Sequence, residues 1–510
     1  MTISLSLDRY SNKSIAIRLF MTCWLIYCLH FATNTVREIY PALSLVDHFS
    51  FDVSEYLGLH ADIFELPGRG AFINNNPGAS ILAALPYRLS KPMVDRVTAR
   101  VLASRQGVTQ PPEYESIYPL AREFYQKAYA KGLDVKFGLA AGVMQTLLMA
   151  PISAGSVVVM FFLLLACTKS KAKALVLSLL YAFATPVFFR TGQLNHNLLQ
   201  SHFALFSFAL LWQPWRDRRN IRKGAYFLAG LLAGWTVVLD YSGIILLGAI
   251  GIYLLLRLRD TGSILKSKQE LALFGLGAVL SLSVLVGYQW LAFGHPLYPA
   301  QHYMPSTQYS GYGYQGMDWP QVDLLLENLI NPRYGLLISA PIFILAIYLP
   351  GWYNPRVRII GRKEIILVLI LTLGLFLFTA ANQYSRMQFN SGIRHVVPVV
   401  PFLFFIIAGV LLAMPRWLSV PVGVLSLGWS WCLAMYRDVE QGRGVVESVL
   451  FVLREGVVLP WMTTLDHLHL KPVWLSAWWV IGLALVLIAL IWAIRFPDSW
   501  KLGAHKLEEL

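Results

Sequence analysis

The stretch IAIRLFMTCWLIYCLHFATNTVREIY, residues 15–40, decides the fold. Its apolar part, Ile15 to Ala32, is long enough to cross the roughly 30 Å hydrocarbon core of a bilayer. Arg9, Lys13 and Arg18 lie on its leading side, and Arg37-Glu38 stands where the chain emerges. The run is long for the apolar region of a cleaved signal and lacks a clear small-x-small site, so it reads as an uncleaved first span. Further apolar stretches lie near 138–167, 172–189, 194–212, 225–239, 241–256, 270–293, 334–350, 363–381, 393–413, 417–436 and 473–495. The pattern predicts an all-α membrane protein with about twelve transmembrane helices in a single polytopic domain, residues 1–510.

The composition agrees. Hydrophobic residues make up 56% of the 510 and charged ones only 14%, far from the balance of a soluble domain. A formal net charge of +14 raises nucleic acid as a partner, but Lys and Arg sit in short clusters between apolar runs, which excludes it. The clusters are Lys169, Lys171 and Lys173; Arg216, Arg218, Arg219, Arg222 and Lys223; Arg257, Arg259, Lys266 and Lys268; and Arg356, Arg358, Arg362 and Lys363. The positive-inside bias makes these connections cytoplasmic, with both termini, including the tail Lys501–Leu510. The four cysteines lie in or beside apolar segments, where a disulfide framework has no role.

The long loops, 34–137, 294–333, 382–392 and 437–472, then fall on the extracytoplasmic side of a cytoplasmic (inner) membrane. The first predicts a water-soluble helix across Glu113 to Lys131, with Glu123 and Lys127 paired at helical spacing. It also holds an apolar stretch, Gly78 to Leu89, too short to span and preceded by Pro77, which predicts a re-entrant or interfacial helix. The last loop carries Val445, Val446, Val449, Leu450 and Leu453 opposite Arg443, Glu447 and Arg454, an amphipathic helix lying on the membrane. Gly230 and Gly234 have the spacing of a close helix contact.

The spans carry almost no charge near their centres, where ion-coupled carriers place costly buried groups. Polar residues gather instead at the outer span ends, a boundary suited to a substrate with an apolar tail and a polar head. Glu38 is the first candidate general base, since partial desolvation raises a carboxylate toward the working pH; with Arg37 it also fits an ordinary interfacial ion pair. Asp47 and Asp62 are further candidate bases, Asp62 because it leads into the turn-rich GRGAFINNNPGAS.

Other outer clusters are Arg190 with Asn195 and His196, Asp240 with Tyr241, and Asn382 to Arg386 followed by Arg394 and His395. Arg394 suits bidentate phosphate binding, with His395 as an added donor and Arg37 and Arg333 as further cations. Arg394 also fits a charge snorkelling at the interface, and His196 a satisfied helix-end histidine. Tyr298, Tyr303, Tyr309, Tyr312, Tyr314 and Trp319 can either stack sugar rings or form an interfacial belt. His467 and His469 beside Asp466 are a weak metal pattern, and no D-x-D pair, Walker loop, dinucleotide turn or nucleophile elbow occurs.

These residues resemble, in order along most of the chain, the GT-C superfamily of integral membrane glycosyltransferases. The bacterial relatives of protein O-mannosyltransferases and aminoarabinose transferases are the nearest in pattern. The matching segments are Arg37-Glu38-x-Tyr40, NNNPGASILAALPYRL, NHNLLQSHF, LDYSGIILL, NPRYGLLISAPIFILA and GIRHVVPVVPFLFF. The chain departs from the usual pattern in having Glu38 for an aspartate and Asn76-Pro77-Gly78 for Pro-Pro-Gly. The resemblance implies a sugar donor carried on a polyprenyl phosphate, and transfer with inversion to an acceptor hydroxyl of a glycan, lipid or protein outside the cytoplasm. Glu38, Asp62 or Asp47 would be the base, and Arg394, with Arg37 or His395, would hold the departing phosphate. No metal is required, although some relatives use a divalent ion. A transporter or flippase of lipid-linked glycans, or an envelope-assembly scaffold, would share the topology.

Overall fold

A computed structural model describes residues 7, 10–106, 112–116, 119–215, 221–259, 267–387, 392–436 and 444–494. Arg9, Arg216, Arg218, Arg219, Lys266, Arg443 and the tail Lys501–Leu510 lie outside the described residues. The chain is mostly helical, 71%. In chain order the helices begin α1 (Asn12–Leu29), α2 (Ile39–Asp47), α3 (Gly78–Ser104), α4 (Pro119–Ala130), α5 (Asp134–Met144) and α6 (Ala150–Thr168). They continue α7 (Lys171–Phe183), α8 (Pro186–Thr191), α9 (His196–Trp212), α10 (Lys223–Leu239), α11 (Gly243–Arg259) and α12 (Lys268–Phe293). The remainder are α13 (Val322–Ile330), α14 (Leu336–Ser339), α15 (Pro350–Tyr353), α16 (Arg362–Ala381), α17 (Val400–Ala413), α18 (Arg416–Met435), α19 (Val445–Glu455), α20 (Pro460–His467) and α21 (Ala477–Ala493).

Four helices among the described residues are long and apolar enough to cross a bilayer: Asp134–Thr168, which joins α5 and α6, Lys268–Phe293, Arg362–Ala381 and Arg416–Met435. Lys223–Leu239, Val397–Ala413 and Ala477–Ala493 are shorter apolar helices. Their outward residues, such as Leu276, Val279, Leu280, Leu483, Leu485 and Val486, are exposed, an apolar surface that calls for lipid rather than water. The stretch 334–350 is not one helix as expected. Pro341 and Pro350 divide it into α14, a tighter 3₁₀ segment Pro341–Ile347 and α15, because proline removes a backbone donor and crowds the preceding turn. It still runs beside α17, from the Ser339 hydroxyl at Ile393 to Gly351 against Val410.

Both ends of the bundle are sorted. At one end, Tyr10 and Arg18 donate to the carbonyls of Trp492 (3.2 Å) and Ile494 (2.5 Å) at the close of α21, and Lys171 donates to the Tyr10 carbonyl. Arg257 likewise caps the Trp212 carbonyl ending α9, where the helix dipole favours a cation. At the other end, Thr33 bonds Thr464 at 2.6 Å and the Ala32 amide donates to Gly192. The start of α1 and the close of α21 thus lie at the same end of the bundle. Inside the bundle α10 meets α12 backbone to backbone: a Cβ at Gly234 would fall 2.8 Å from the Ala278 oxygen, and one at Gly230 would overlap Phe274.

The first loop departs from the all-α expectation. Ile63–Leu66 (β1) and Gly70–Ile73 (β2) pair antiparallel, Ile63 opposite Ile73. Pro67-Gly68 turns the chain, with Gly68 at φ 74° and the Arg69 amide bonding the Leu66 carbonyl. The apolar helix expected over Gly78–Leu89 runs on to Ser104, through Pro86 and Pro92, because its second half is helix-forming and polar and so continues in water. The helix expected from Glu113 starts at Pro119, with Lys127 and Glu123 paired at 2.6 Å. The last-loop helix, α19, turns Val445, Val449 and Val452 inward, leaving Val446, Leu450 and Leu453 exposed.

Candidate active site

Glu38 precedes α2 at the end of the bundle where α1 finishes, and it is buried. Its Oε1 meets Nδ1 of His196, the first residue of α9. Asn195 caps that helix, its side-chain oxygen accepting from the Leu198 amide at 3.0 Å, which fixes the direction in which His196 leaves the backbone. The other imidazole nitrogen, Nε2, lies 3.9 Å from Asp240 Oδ2.

Asp240 is positioned by the turn between α10 and α11. Its Oδ1 accepts from the Ser242 amide (2.9 Å) and hydroxyl (2.6 Å). Gln200, one turn beyond His196 on α9, donates to the Thr236 carbonyl (3.1 Å) and the Ser242 hydroxyl (3.1 Å), locking this turn to the helix that carries the histidine.

The hairpin delivers the third carboxylate. Register Ile63–Ile73 places Asp62 beside Asn74, and Arg37 Nη1 donates to both, 3.2 Å to Asp62 Oδ2 and 3.2 Å to the Asn74 carbonyl. Arg37 Nε stands 3.7 Å from Glu38 Oε1. The NPGAS segment then locks on: Asn76 donates to the Val237 carbonyl, and Ser80 to the Glu38 carbonyl at 2.7 Å.

Arg394 enters from the turn before α17. The buried Arg190 donates to the Gly392 carbonyl and, at 2.7 Å, to that of Ile393, while the Ser339 hydroxyl accepts from the Ile393 amide. Gly392 has φ 87°, and a Cβ there would fall 3.0 Å from Ser339 Oγ, so only glycine fits this turn. Arg394 feels the charges of Arg37, Glu38, Asp62 and Asp240. Arg37, three carboxylates and an imidazole thus gather at one end of the bundle, with Arg394 within reach of their charges.

Several expectations change. Burial does push the Glu38 carboxyl up, but the hydrogen bond and charge of His196 and the charge of Arg37 outweigh it and hold it down to about 2. Glu38 is therefore a firmly ionised carboxylate, not one tuned toward neutral pH. His395 Nε2 accepts from Arg394 at 3.1 Å, since a guanidinium can only donate, so donation by this ring falls to Nδ1. Asp47 lies away from the cluster, at the far end of α2, bonded by Lys91 (2.7 Å) and Lys136 (2.8 Å). Arg333 is exposed, and its carbonyl accepts from Val445 at the start of α19. Asn195 is a helix cap, and the Tyr241 hydroxyl accepts from Gln289 at 2.7 Å.

Sequence reasoning missed His60, whose Nδ1 accepts from the Asp62 amide at 3.0 Å and lies 4.0 Å from its carboxylate; burial lowers its pKa. The signal was His60-x-Asp62, the spacing of a side chain bonding the backbone two residues on. It also missed the clamps Gln200, Ser80 and Ser242, which lie in segments quoted for the resemblance but carry no pattern that marks them individually. Among the described residues, no group of three or more His, Cys, Asp or Glu is placed to hold a metal ion.

Chemically, the cluster pairs an oriented imidazole with fixed carboxylates and faces them with guanidiniums, a combination able to move a proton and to stabilise an anion. Compared with protein-family models, curated proteins and solved structures, the chain matches none.

Proposed function

We propose that the protein is a membrane glycosyltransferase of the GT-C kind. It takes a sugar from a polyprenyl-phosphate donor and places it on an acceptor hydroxyl at the extracytoplasmic face of the inner membrane. The observation that carries the reading is the Glu38–His196 pair against Arg37 at one end of the bundle, within reach of the charge of Arg394. Lys171 and Arg257 gather at the opposite end, which the positive-inside bias assigns to the cytoplasm. The start of α1 beside the close of α21 is what about twelve spans with both termini cytoplasmic would give.

In this reading the acceptor oxygen attacks the anomeric carbon as the bond from that carbon to the phosphate oxygen breaks. The Glu38–His196 pair takes the acceptor's proton, and the lipid phosphate leaves with the bonding electrons. Arg394, helped by the charge of Arg37, meets the negative charge that develops on that phosphate, where a preorganised cation is worth most. Asp62 holds Arg37 rather than acting on substrate.

The test is mass spectrometry of cell-envelope glycans in a deletion strain complemented with wild type, Glu38→Gln, Asp62→Asn or Arg394→Ala. Loss of a glycan species in the Glu38 and Arg394 variants is expected. Full complementation by all of them rejects catalysis, and accumulation of donor on the cytoplasmic leaflet assigns flipping instead.

A further inference from the structure

We infer that His196, not Glu38, is the catalytic base, and that Glu38 is the positioning residue that presents its imidazole to the acceptor. The inference rests on the glycosyl-transfer reading and assigns the proton within it.

The geometry argues as follows. An ionised carboxylate can only accept, so the hydrogen between Glu38 Oε1 and His196 Nδ1 belongs to the imidazole. Taken as neutral before reaction, with its proton on Nδ1, the ring has its lone pair on Nε2. Nε2 points toward Asp240, whose Oδ2 at 3.9 Å is too distant for a hydrogen bond and leaves that lone pair available. When Nε2 takes a proton, the imidazolium lies between two carboxylates, Glu38 and Asp240, which stabilise the charge as it forms. Gln200 and Ser242 keep Asp240 in place, and Asn195 and Ser80 fix the two members of the pair.

Glu38 is poorly suited to take the proton itself. It is buried, and its Oε1 already accepts from His196, so an acceptor hydroxyl would have to displace that bond to reach this oxygen. The balanced step is therefore transfer of the acceptor O–H proton to His196 Nε2, formation of the bond from that oxygen to the anomeric carbon, and departure of the polyprenyl phosphate. The imidazolium then returns its proton to water.

Two measurements test this. In the first, full-length protein labelled with ¹⁵N-histidine in lipid nanodiscs is studied by NMR, with His196 assigned by loss of its signal in His196→Gln. Wild type is expected to show the proton on Nδ1 and a bare Nε2, and Glu38→Gln to lose this preference because an amide can donate to Nδ1. A proton on Nε2 in wild type overturns the inference.

In the second, the complemented deletion strain is assayed for envelope glycans with His196→Gln, Glu38→Gln and the double variant. The amide of His196→Gln can still donate to Glu38 but cannot carry a proton, so a merely structural histidine would be rescued by it. The inference expects a loss of about 100-fold or more in His196→Gln and no further loss in the double variant. Retained product in His196→Gln with loss in Glu38→Gln makes Glu38 the base and overturns the inference. If the wild-type NMR result holds but no variant alters glycans, it is the glycosyl-transfer reading that fails, and the proton assignment has no reaction to serve.

Discussion

The two ends of α2 hold two carboxylates, Glu38 buried and Asp47 half-buried, with opposite surroundings. Asp47, at its close, is enclosed by the ammonium groups of Lys91 and Lys136 and lies 3.3 Å from the Tyr87 hydroxyl, so its charge is matched by groups that serve only to fasten α2 to α3 and α5. Glu38, at its start, is matched by an imidazole that can change its protonation state and by Arg37, which is shared with Asp62. Burial alone does not distinguish a brace from a working group. The partners do: lysines that can only hold a charge at one end, a proton carrier beside further carboxylates and guanidiniums at the other.

The comparison can be broken by mutation, and the largest effect belongs to the start of α2. Glu38→Gln is expected to lower glycan formation by about 100-fold or more, because the amide no longer fixes the proton on Nδ1 of His196, with the protein still present in membranes. Asp47→Asn should do the reverse. It leaves two lysines without their anion and is expected to cost on the order of 2 kcal/mol of stability, read as a lower unfolding midpoint, while activity per folded molecule is kept.

A smaller effect sharpens the role of the Arg394 turn. Gly392→Ala places a Cβ at positive φ against Ser339 and is expected to cost about 1–2 kcal/mol and to lower activity on the order of tenfold by displacing Arg394. The unfolding midpoint and the glycan assay read the two parts separately.

The smallest effect near neutral pH concerns ionisation. The Glu38 and Asp47 carboxyls are both depressed, the first to about 2, the second because the lysines outweigh its burial. Carboxyls depressed on folding contribute stability that is complete above the unfolded range of about 4 and lost as pH falls through the folded value. The midpoint should therefore be insensitive to these groups from pH 7 to about 5 and drop below pH 4. Either Glu38→Gln or Asp47→Asn should flatten that drop, which a pH series of melting curves measures.

Much of this architecture was legible in the chain. Charge clusters between apolar runs gave the sorted ends, and the position of Glu38 after the first run put a carboxylate where α1 finishes. The hairpin was harder, because β1 and β2 are four residues each and the Pro67-Gly68 signal sat inside a stretch rich in other turn residues. Pairing was harder still. His196 is 158 positions from Glu38, and only packing of α9 against the first loop shows that it binds the carboxylate rather than a phosphate. The same distance problem hid Lys91 and Lys136 from Asp47, leaving it among the candidate bases although in space it is a brace.

The central claim is that the start of α2 does chemistry and its close does not. Glu38→Gln, Arg394→Ala and Asp47→Asn, expressed in the deletion strain to equal membrane levels and read by mass spectrometry of envelope glycans, test it most directly. The account predicts that the first two lose the glycan product and the third keeps it; full product from Glu38→Gln, or its loss in Asp47→Asn alone, would contradict it.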